Sequence, residues 1–213
     1  MSKILLVTSS PRGPLSYSSK VARSLADELA ASHPDARILV RDLASRPLPH
    51  IDGNFLSGLA TPAERRTTAQ AAAVALSDEI IAEVFDADII VIASAMINFG
   101  LSSTLKTWFD YLLRAGVTFS YSGDGPHGLV KGKKAYIIEA RGGIYSEGPM
   151  QAADFQEPYL KQLLRFIGIT DIETLAVEGV ALGPDVAEKA LAAALAKVST
   201  LSASDGTALA FAH

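Results

Sequence analysis

The stretch Lys3-Ile4-Leu5-Leu6-Val7-Thr8 is followed directly by the loop Ser9-Ser10-Pro11-Arg12-Gly13-Pro14-Leu15-Ser16-Tyr17-Ser18-Ser19. The first stretch predicts a buried strand, because its apolar side chains follow one another without alternation. After the loop, Val21, Leu25 and Leu29 form one apolar stripe at helical spacing. A hydroxyl-rich loop between a first strand and a first helix predicts a phosphate cradle, since the helix N-terminus offers unpaired N–H groups and a partial positive charge.

The cradle lacks two common nucleotide fingerprints. Neither G-x-x-x-x-G-K-[ST] nor G-x-G-x-x-G occurs in this loop, which excludes a nucleoside-triphosphate loop and a dinucleotide loop. A serine-lined loop suits one terminal phosphate, such as that of flavin mononucleotide (FMN). The predicted donors are the hydroxyls of Ser10, Ser16 and Ser18 and the backbone N–H groups near Tyr17 and Ser18. On an alternative interpretation, these serines only cap the helix and shape the turn.

Composition narrows the function classes. The chain has 213 residues, of which 49% are hydrophobic and 20% charged, as in a globular domain with a sizeable core. A formal net charge of −4 without a basic block argues against nucleic acid as a partner. Cysteine is absent and the four histidines lack metal-ligand spacing, so we expect no disulfide, thiolate nucleophile or metal site.

Organisation follows from the same patterns. No apolar run approaches the ~20 residues of a membrane span, and no targeting segment is recognisable. We therefore expect a cytoplasmic protein. We also expect a single domain over residues 1–201 and a flexible C-terminal tail over residues 202–213, of which residues 202–207 are small and polar.

Strand and helix patterns alternate along the whole chain. The predicted strands cover residues 4–8, 37–41, 88–93, 135–140 and 172–177, and the helices between them include 62–85 and 101–116. This alternation predicts an α/β fold, a doubly wound five-stranded parallel sheet of flavodoxin-like order 2-1-3-4-5 with helices on both faces. Ligands of such sheets bind beyond the carboxyl ends of the strands. The long connection 44–62 is expected to be functional or interface-forming.

Two further loops leave the carboxyl ends of strands. Met96-Ile97-Asn98-Phe99 can wall a flat ring, and the amide of Asn98 suits the N5–O4 edge of a flavin. The alternative is an apolar helix entry with Asn98 as its N-cap. In Ala140-Arg141-Gly142-Gly143, the glycine N–H groups suit the N1–O2 edge of a flavin. The alternatives are a tight turn and a structural pairing of Arg141 with a carboxylate.

The stretch Gly123-Asp124-Gly125-Pro126-His127-Gly128 spells G-x-G-x-x-G in the wrong context, because it precedes a strand and contains a proline. We interpret it as a mobile loop. Phe119 and Tyr121 lie just before it, and we expect them either to cover a flat substrate or simply to pack.

Taken together, these motifs resemble those of the FMN-dependent NADH-azoreductases, also described as FMN-dependent NADH:quinone oxidoreductases, of the flavodoxin-like group. The resemblance extends from Lys3 to about Thr200. It rests on Ser9-Ser10, Ser16-Tyr17-Ser18, Met96–Phe99, Arg114–Phe119, Arg141–Gly143 and Phe166–Asp171.

The resemblance implies a homodimer with one bound FMN per subunit and with active sites at the dimer interface. NADH or NADPH is the implied co-substrate, and quinones or azo compounds accept two electrons in a ping-pong exchange through flavin N5. No catalytic side chain is implied, because the flavin carries the chemistry. By the family pattern, Ser10 and residues 16–18 hold the phosphate, whereas residues 96–99 and 140–143 hold the ring and ribityl chain.

Two positions depart from that pattern. The family commonly has tyrosine where Ile97 stands and serine where Ala140 stands. A typical hydrogen bond contributes ~1 kcal/mol, so we expect these changes to tune FMN binding rather than abolish it.

Two other function classes fit the same fold: a flavodoxin-type electron carrier and a cofactor-free binding module. A carrier is expected to be strongly acidic on its docking face and monomeric. The modest net charge of −4 and the long connection 44–62 favour the enzyme.

Overall fold

In residues 2–32 and 35–209, which the computed structural model describes, five parallel strands form the central sheet. These strands are β1 (Lys3–Thr8), β2 (Arg37–Asp42), β3 (Ile89–Ala95), β6 (Lys134–Ala140) and β7 (Asp171–Val177), and a separate hairpin contains β4 (Phe119–Ser122) and β5 (Gly125–Gly128). The sheet order β2-β1-β3-β6-β7 confirms the predicted order 2-1-3-4-5.

The helices are α1 (Tyr17–Ala31), α2 (Gly53–Ala60), α3 (Thr68–Asp86), α4 (Ser103–Leu112), α5 (Glu157–Ile167) and α6 (Pro184–Leu209). They cover both faces of the sheet, as predicted. On one face Ile4, Leu6 and Val91 pack with α1 and α6. On the other, apolar residues of the same strands pack with α3, α4 and α5. Each fully buried aliphatic side chain contributes roughly 1.5–3 kcal/mol, so the two layers fix the sheet firmly.

Strand register aligns the carboxyl ends of the sheet. Thr8 lies opposite Ala93 across the β1–β3 pair, and Ala95 lies opposite Ala140 across the β3–β6 pair. Ala140 in turn lies opposite Val177 of β7. The loops that follow these strands therefore leave from one edge of the sheet.

The connection after β2 contains a helix that the sequence reasoning missed. Residues 44–62 were predicted only as one long connection, but α2 lies within them, capped by Asp52, whose carboxylate accepts the N–H of Phe55 at 3.0 Å. The predicted helix 62–85 instead begins at Thr68, because Thr67 and Gln70 form a capping box there.

The prediction of a mobile loop over residues 123–128 is wrong. Residues 125–128 form β5, which pairs antiparallel with β4. The hairpin is pressed against the end of α5, and an added Cβ on Gly128 would come within 2.1 Å of the backbone nitrogen of Gly168. Gly168 itself has φ +107° and ends α5 as its left-handed C-cap. Helix α4, by contrast, ends at Leu112 rather than at Gly116.

Helix α6 continues into the predicted C-terminal tail. Its backbone is helical through Leu209, and the hydroxyl of Ser202 donates to Glu28 of α1 at 3.1 Å. The predicted domain boundary at residue 201 therefore falls inside a helix. The single domain and the flexible tail stay predictions, and residues 210–213 of that tail lie outside the described residues.

Two kinds of feature were searched for in the described part of the chain. None of its helices is long and apolar enough to cross a membrane. Nor does that part bring three or more His, Cys, Asp or Glu side chains together as a metal site.

Candidate functional site

Three loops meet at the carboxyl edge of the sheet around a cavity of about 140 Å³. The first loop, after β1, and the second, after β3, lie on either side of the switch point, and the third follows β6. The lining residues are Ser10, Pro11, Arg12, Ser16, Tyr17, Ala95, Met96, Ile97, Ala140, Gly142 and Val180. The cavity therefore contains seven of the twelve residues predicted to bind cofactor, and it lies where a doubly wound sheet binds ligands.

The first loop turns its hydroxyl groups inward. Ser10, Ser16 and Ser18 are all buried. The Oγ atom of Ser16 accepts the N–H of Ser19 at 3.3 Å, so Ser16 caps α1 as the alternative interpretation predicted. The same Oγ lies 3.1 Å from the Oγ of Ser18. Capping and anion binding are compatible here, because each hydroxyl has two acceptor positions and a rotatable proton.

Backbone donors complete this cradle. Among the described residues, the N–H groups of Tyr17 and Ser18 have no hydrogen-bond partner, as expected for the first turn of a helix. The guanidinium of Arg12 lies 5.8 Å from the centroid of the Tyr17 ring, a cation–π contact that holds a positive charge at the cavity wall. The result is an electropositive, donor-rich site that fits a phosphate group.

The second loop is a strained tight turn. Ile97 and Gly100 exchange two backbone hydrogen bonds of 3.0 Å, and the residues between them, Asn98 and Phe99, have φ of +48° and +71°. Asparagine tolerates this conformation, but phenylalanine does so rarely, and such residues cost roughly 1–3 kcal/mol each. The turn leaves Ile97, Asn98 and Phe99 exposed. The alternative that Asn98 caps the next helix is wrong, since Ser102 is the N-cap of α4.

The third loop carries free amide donors. The N–H of Met96 donates to the carbonyl of Ala140 at 2.9 Å, which joins the second and third loops. Within the described part of the chain, the N–H groups of Gly142 and Gly143 have no hydrogen-bond partner, whereas both carbonyls accept N–H groups from residues 179–181. These two amides match the predicted donors toward the N1–O2 edge of a flavin.

The side chain of Arg141 does not line the cavity. It is buried, and its guanidinium lies among Glu139, Asp154, Glu157 and Glu178 at 2.6–3.3 Å. The interpretation of Arg141 as a structural partner of carboxylates is therefore confirmed for its side chain. Only its backbone lies beside the cofactor loops.

Glu139 is the buried carboxyl of that cluster. Its side chain is fully buried, Oε2 accepts from Arg141 at 2.6 Å, and Oε1 has no partner within the described residues. Burial raises the pKa of Glu139 to about 8, against the opposing attraction of Arg141. The nearby carboxylates of Glu157 and Asp154 add to the rise. The pKa of Glu139 therefore lies well above that of an exposed glutamate.

Sequence reasoning missed two residues at the site. Val180 lines the cavity from the loop after β7, a fourth loop at the same sheet edge. The ring of Tyr145, which follows the third loop, lies 6.4 Å from that of Phe99 in the second loop, centroid to centroid. The signal for Val180 was available, because the loop after the fifth strand leaves from the same edge as the other three.

Phe119 and Tyr121 lie far from the cavity of their own chain. Phe119 is buried, with its ring 4.6 Å from that of Phe166, whereas Tyr121 is exposed. Their hairpin packs near Gly168, at the amino ends of β6 and β7. β6 has seven residues, so at ~3.3 Å per residue the two edges of the sheet are about 20 Å apart. Within one chain Phe119 therefore packs against the core, which is the second of the two predicted roles.

Comparison with known proteins places the fold in a family. Residues 2–201 match the model of a family described by its flavodoxin-like fold. The chain belongs to this flavodoxin-like family. Its relatives include the FMN-dependent NADH:quinone oxidoreductase of Mesorhizobium japonicum, 49% identical over 97% of this chain and 99% of that protein. FMN-dependent NADH:quinone oxidoreductase 1 of Rhizobium etli is 52% identical over 94% of this chain and 98% of its own length.

Solved structures agree with this family membership. An azoreductase from Bacillus anthracis superposes with a TM-score of 0.87 at 31% identity, covering 95% of this chain and 99% of that one. An FMN-dependent NADH-azoreductase from the same species, in complex with FMN, gives 0.84 at 26% identity, covering 95% and 100%.

The cluster around Arg141 predicts a pH dependence of stability. Below the pKa of an unfolded glutamate, the carboxyl is protonated in both states. From about pH 5 to pH 8 only the unfolded state of this flavodoxin-like protein releases the proton, so the stability contribution of Glu139 falls as the pH rises. Glutamine does not titrate, so the unfolding free energy of Glu139→Gln should not show this fall. We therefore expect the difference in unfolding free energy, variant minus wild type, to increase by at least about 1 kcal/mol between pH 5 and pH 8. Urea denaturation of both proteins at pH 5, 7 and 9 measures the difference, and parallel pH curves would contradict it.

Proposed function

We propose that this flavodoxin-like protein is an FMN-dependent oxidoreductase that uses NADH to reduce quinones to hydroquinones and azo compounds to amines. The observation that supports this proposal most directly is that three loops meet at one cavity, with a phosphate cradle on one side and free amide donors on the other. The relatives named FMN-dependent NADH:quinone oxidoreductase cover nearly the whole chain at about half identity, which supports the same activity here.

The residues present fit FMN. Its phosphate suits the buried hydroxyls of Ser10, Ser16 and Ser18, the free N–H groups of Tyr17 and Ser18, and the charge of Arg12. The cavity of about 140 Å³ is smaller than the roughly 300–1,000 Å³ of typical ligand pockets. Part of the ligand must therefore lie outside it, against the exposed side chains of Ile97 and Phe99.

The chain would contribute position and electrostatics. When bound, FMN supplies two-electron hydride chemistry between NADH and the acceptor. The N–H groups of Gly142 and Gly143 are fixed donors where negative charge collects on the reduced ring, and fixed dipoles stabilise such charge without reorganising. Met96, Ile97 and Phe99 would form an apolar wall that keeps water from one side of the ring, and the amide of Asn98 would hydrogen-bond to its N5–O4 edge. Ile97 and Ala140 bring no hydroxyl to the cavity.

The proposal includes a homodimer and a cytoplasmic location. Ile97, Phe99 and Phe155 are 40%, 46% and 64% exposed, an apolar surface unusual for a monomer. A groove of about 570 Å³, lined by Leu101, Phe155, Tyr159 and neighbours, continues it. The hairpin of Phe119 and Tyr121 is too far from its own cavity, so only the hairpin of a second copy would cover the substrate. The cytoplasmic location is proposed because NADH, the co-substrate, is available in the cytoplasm.

The runner-up function, a flavodoxin-type electron carrier, accounts less well for these features. A carrier needs an exposed flavin edge and an acidic docking face, whereas the surface beside this cavity is apolar. Direct reduction by NADH separates the two functions, because a carrier accepts electrons only through a partner reductase.

Replacing Gly143 with valine tests the close approach of the ring to the third loop. An added Cβ at Gly143 meets only the ring of Tyr145, at 3.3 Å, so the fold should tolerate the change. We expect the Gly143→Val apoprotein to bind FMN at least about tenfold more weakly, because the side chain occupies space that the ring needs. Fluorescence quenching of titrated FMN measures this, with Gly53→Val as the matched control, since that Cβ meets nothing within 4 Å. Wild-type affinity in Gly143→Val would refute the approach.

Charging the exposed apolar surface tests the homodimer. Phe155 is 64% exposed, so Phe155→Asp should fold normally. We expect the variant to sediment as a monomer and to lose most of its quinone reductase activity, because a carboxylate in an apolar interface costs several kcal/mol. Phe85→Asp, at a 40% exposed position on α3, is the control. Wild-type sedimentation of Phe155→Asp would exclude this face as the interface.

A further inference from the structure

Arg141 is the centre of a buried polar network that contacts three segments of the chain: β6, residues 154–157 and the loop after β7. Its Nε donates to Gln156 at 3.3 Å, and its Nη1 donates to Glu178 at 3.1 Å. Its Nη2 lies 2.6 Å from Glu139 and 2.9 Å from Asp154. The guanidinium is fully buried, so solvent does not screen these contacts.

The network reaches the second cofactor loop through the segment 154–157. Gln156 is fully buried, and its Nε2 donates to the carbonyl of Ser94 at 3.1 Å and to its Oγ at 2.9 Å. One residue earlier, the N–H of Phe155 donates to the carbonyl of Phe99 at 3.1 Å. The end of β3 and the strained turn that follows it are therefore both tied to a segment that Arg141 contacts.

The network also reaches the third loop from two directions. The backbone N–H of Arg141 donates to Val177 at 2.9 Å, and its carbonyl accepts the N–H of Val180 at 3.2 Å. Glu178, bound to the guanidinium, accepts the N–H of Tyr145 at 2.8 Å and that of Ser146 at 3.0 Å. The free amides of Gly142 and Gly143 thus lie between the backbone of Arg141 and residues 145–146, which Glu178 connects to the Arg141 side chain.

We propose that Arg141 is a positioning residue that contacts no ligand and, through Gln156 and Glu178, fixes the distance between the loops 94–99 and 140–146 that the flavin site requires. The inference rests on the proposed function, because it assigns Arg141 to the same FMN site. It predicts that the geometry of the guanidinium, and not only its charge, matters.

Lysine should not replace Arg141. The guanidinium presents five N–H donors in a planar fork and here bridges an amide and several carboxylates, whereas an ammonium is a point charge with three donors. The cluster contains Glu139, Asp154, Glu157 and Glu178 against Arg141, with Lys161 paired to Glu157 at 2.6 Å. Arg141→Lys keeps this balance of charge and removes the bridging geometry.

The test measures FMN binding and flavin geometry separately. Full-length apoprotein is titrated with FMN for the wild type, Arg141→Lys, Arg141→Met and Gln156→Met, and visible circular dichroism is then recorded at saturating FMN. Gln156→Met keeps every charge and removes the side-chain hydrogen bonds to Arg141 and Ser94. It therefore tests the positioning role even if Arg141→Met does not fold. The control is Arg41→Met, which removes another arginine bound to two carboxylates, Glu79 and Glu83.

We expect the Arg141 and Gln156 variants, including Arg141→Lys, to raise the Kd for FMN about tenfold or more, since small displacements of binding groups are costly. Their saturated flavin should also show an altered dichroism spectrum, which a loss of stability alone would not produce. Arg41→Met should keep both values. Wild-type affinity and spectrum in Arg141→Lys, or in Gln156→Met, would overturn the proposal while leaving the proposed function intact. Failure of the wild type to bind FMN would overturn both.

Discussion

Parallel pairing of β1, β3, β6 and β7 in one register brings their carboxyl ends to one edge of the sheet. The hydroxyl-rich loop, the tight turn at Asn98 and Phe99 and the glycine loop meet only because of this register. Burial on both faces enforces it, since slipping one strand by a residue would exchange its two buried faces. The apolar strands are thus the cause of the site's geometry, although they contribute no ligand contacts.

The site carries several local costs that the scaffold offsets. Among the described residues, Phe99 has a positive φ, the Oε1 atom of buried Glu139 has no hydrogen-bond partner, and the cluster around Arg141 has more carboxylates than cations. Strain and buried charge persist only where the surroundings over-determine the conformation. Here the hydrogen bonds from Phe155 and Gln156 supply that restraint. The concentration of costly features beside one cavity is typical of a functional site rather than of a packing core.

The fold and the meeting of the three loops at one edge of the sheet were predictable, whereas the network around Arg141 was not. Local signals sufficed for the loops, because each follows an uninterrupted apolar strand. The partners of Arg141 lie up to 37 residues away in sequence, and no local pattern identifies them. Helix α2 was missed because it is short and flanked by prolines, and the left-handed Phe99 was missed because phenylalanine seldom adopts that conformation. The hairpin was misread because glycine and proline also predict loops.

The central claim is that NADH delivers electrons directly to FMN held at this cavity. Anaerobic addition of NADH to the FMN-loaded protein, followed by a quinone, tests it in one absorbance experiment. We expect the oxidised flavin spectrum to bleach on adding NADH alone and to return on adding the quinone. A flavin that stays oxidised until a separate reductase is supplied would contradict this function and identify an electron carrier.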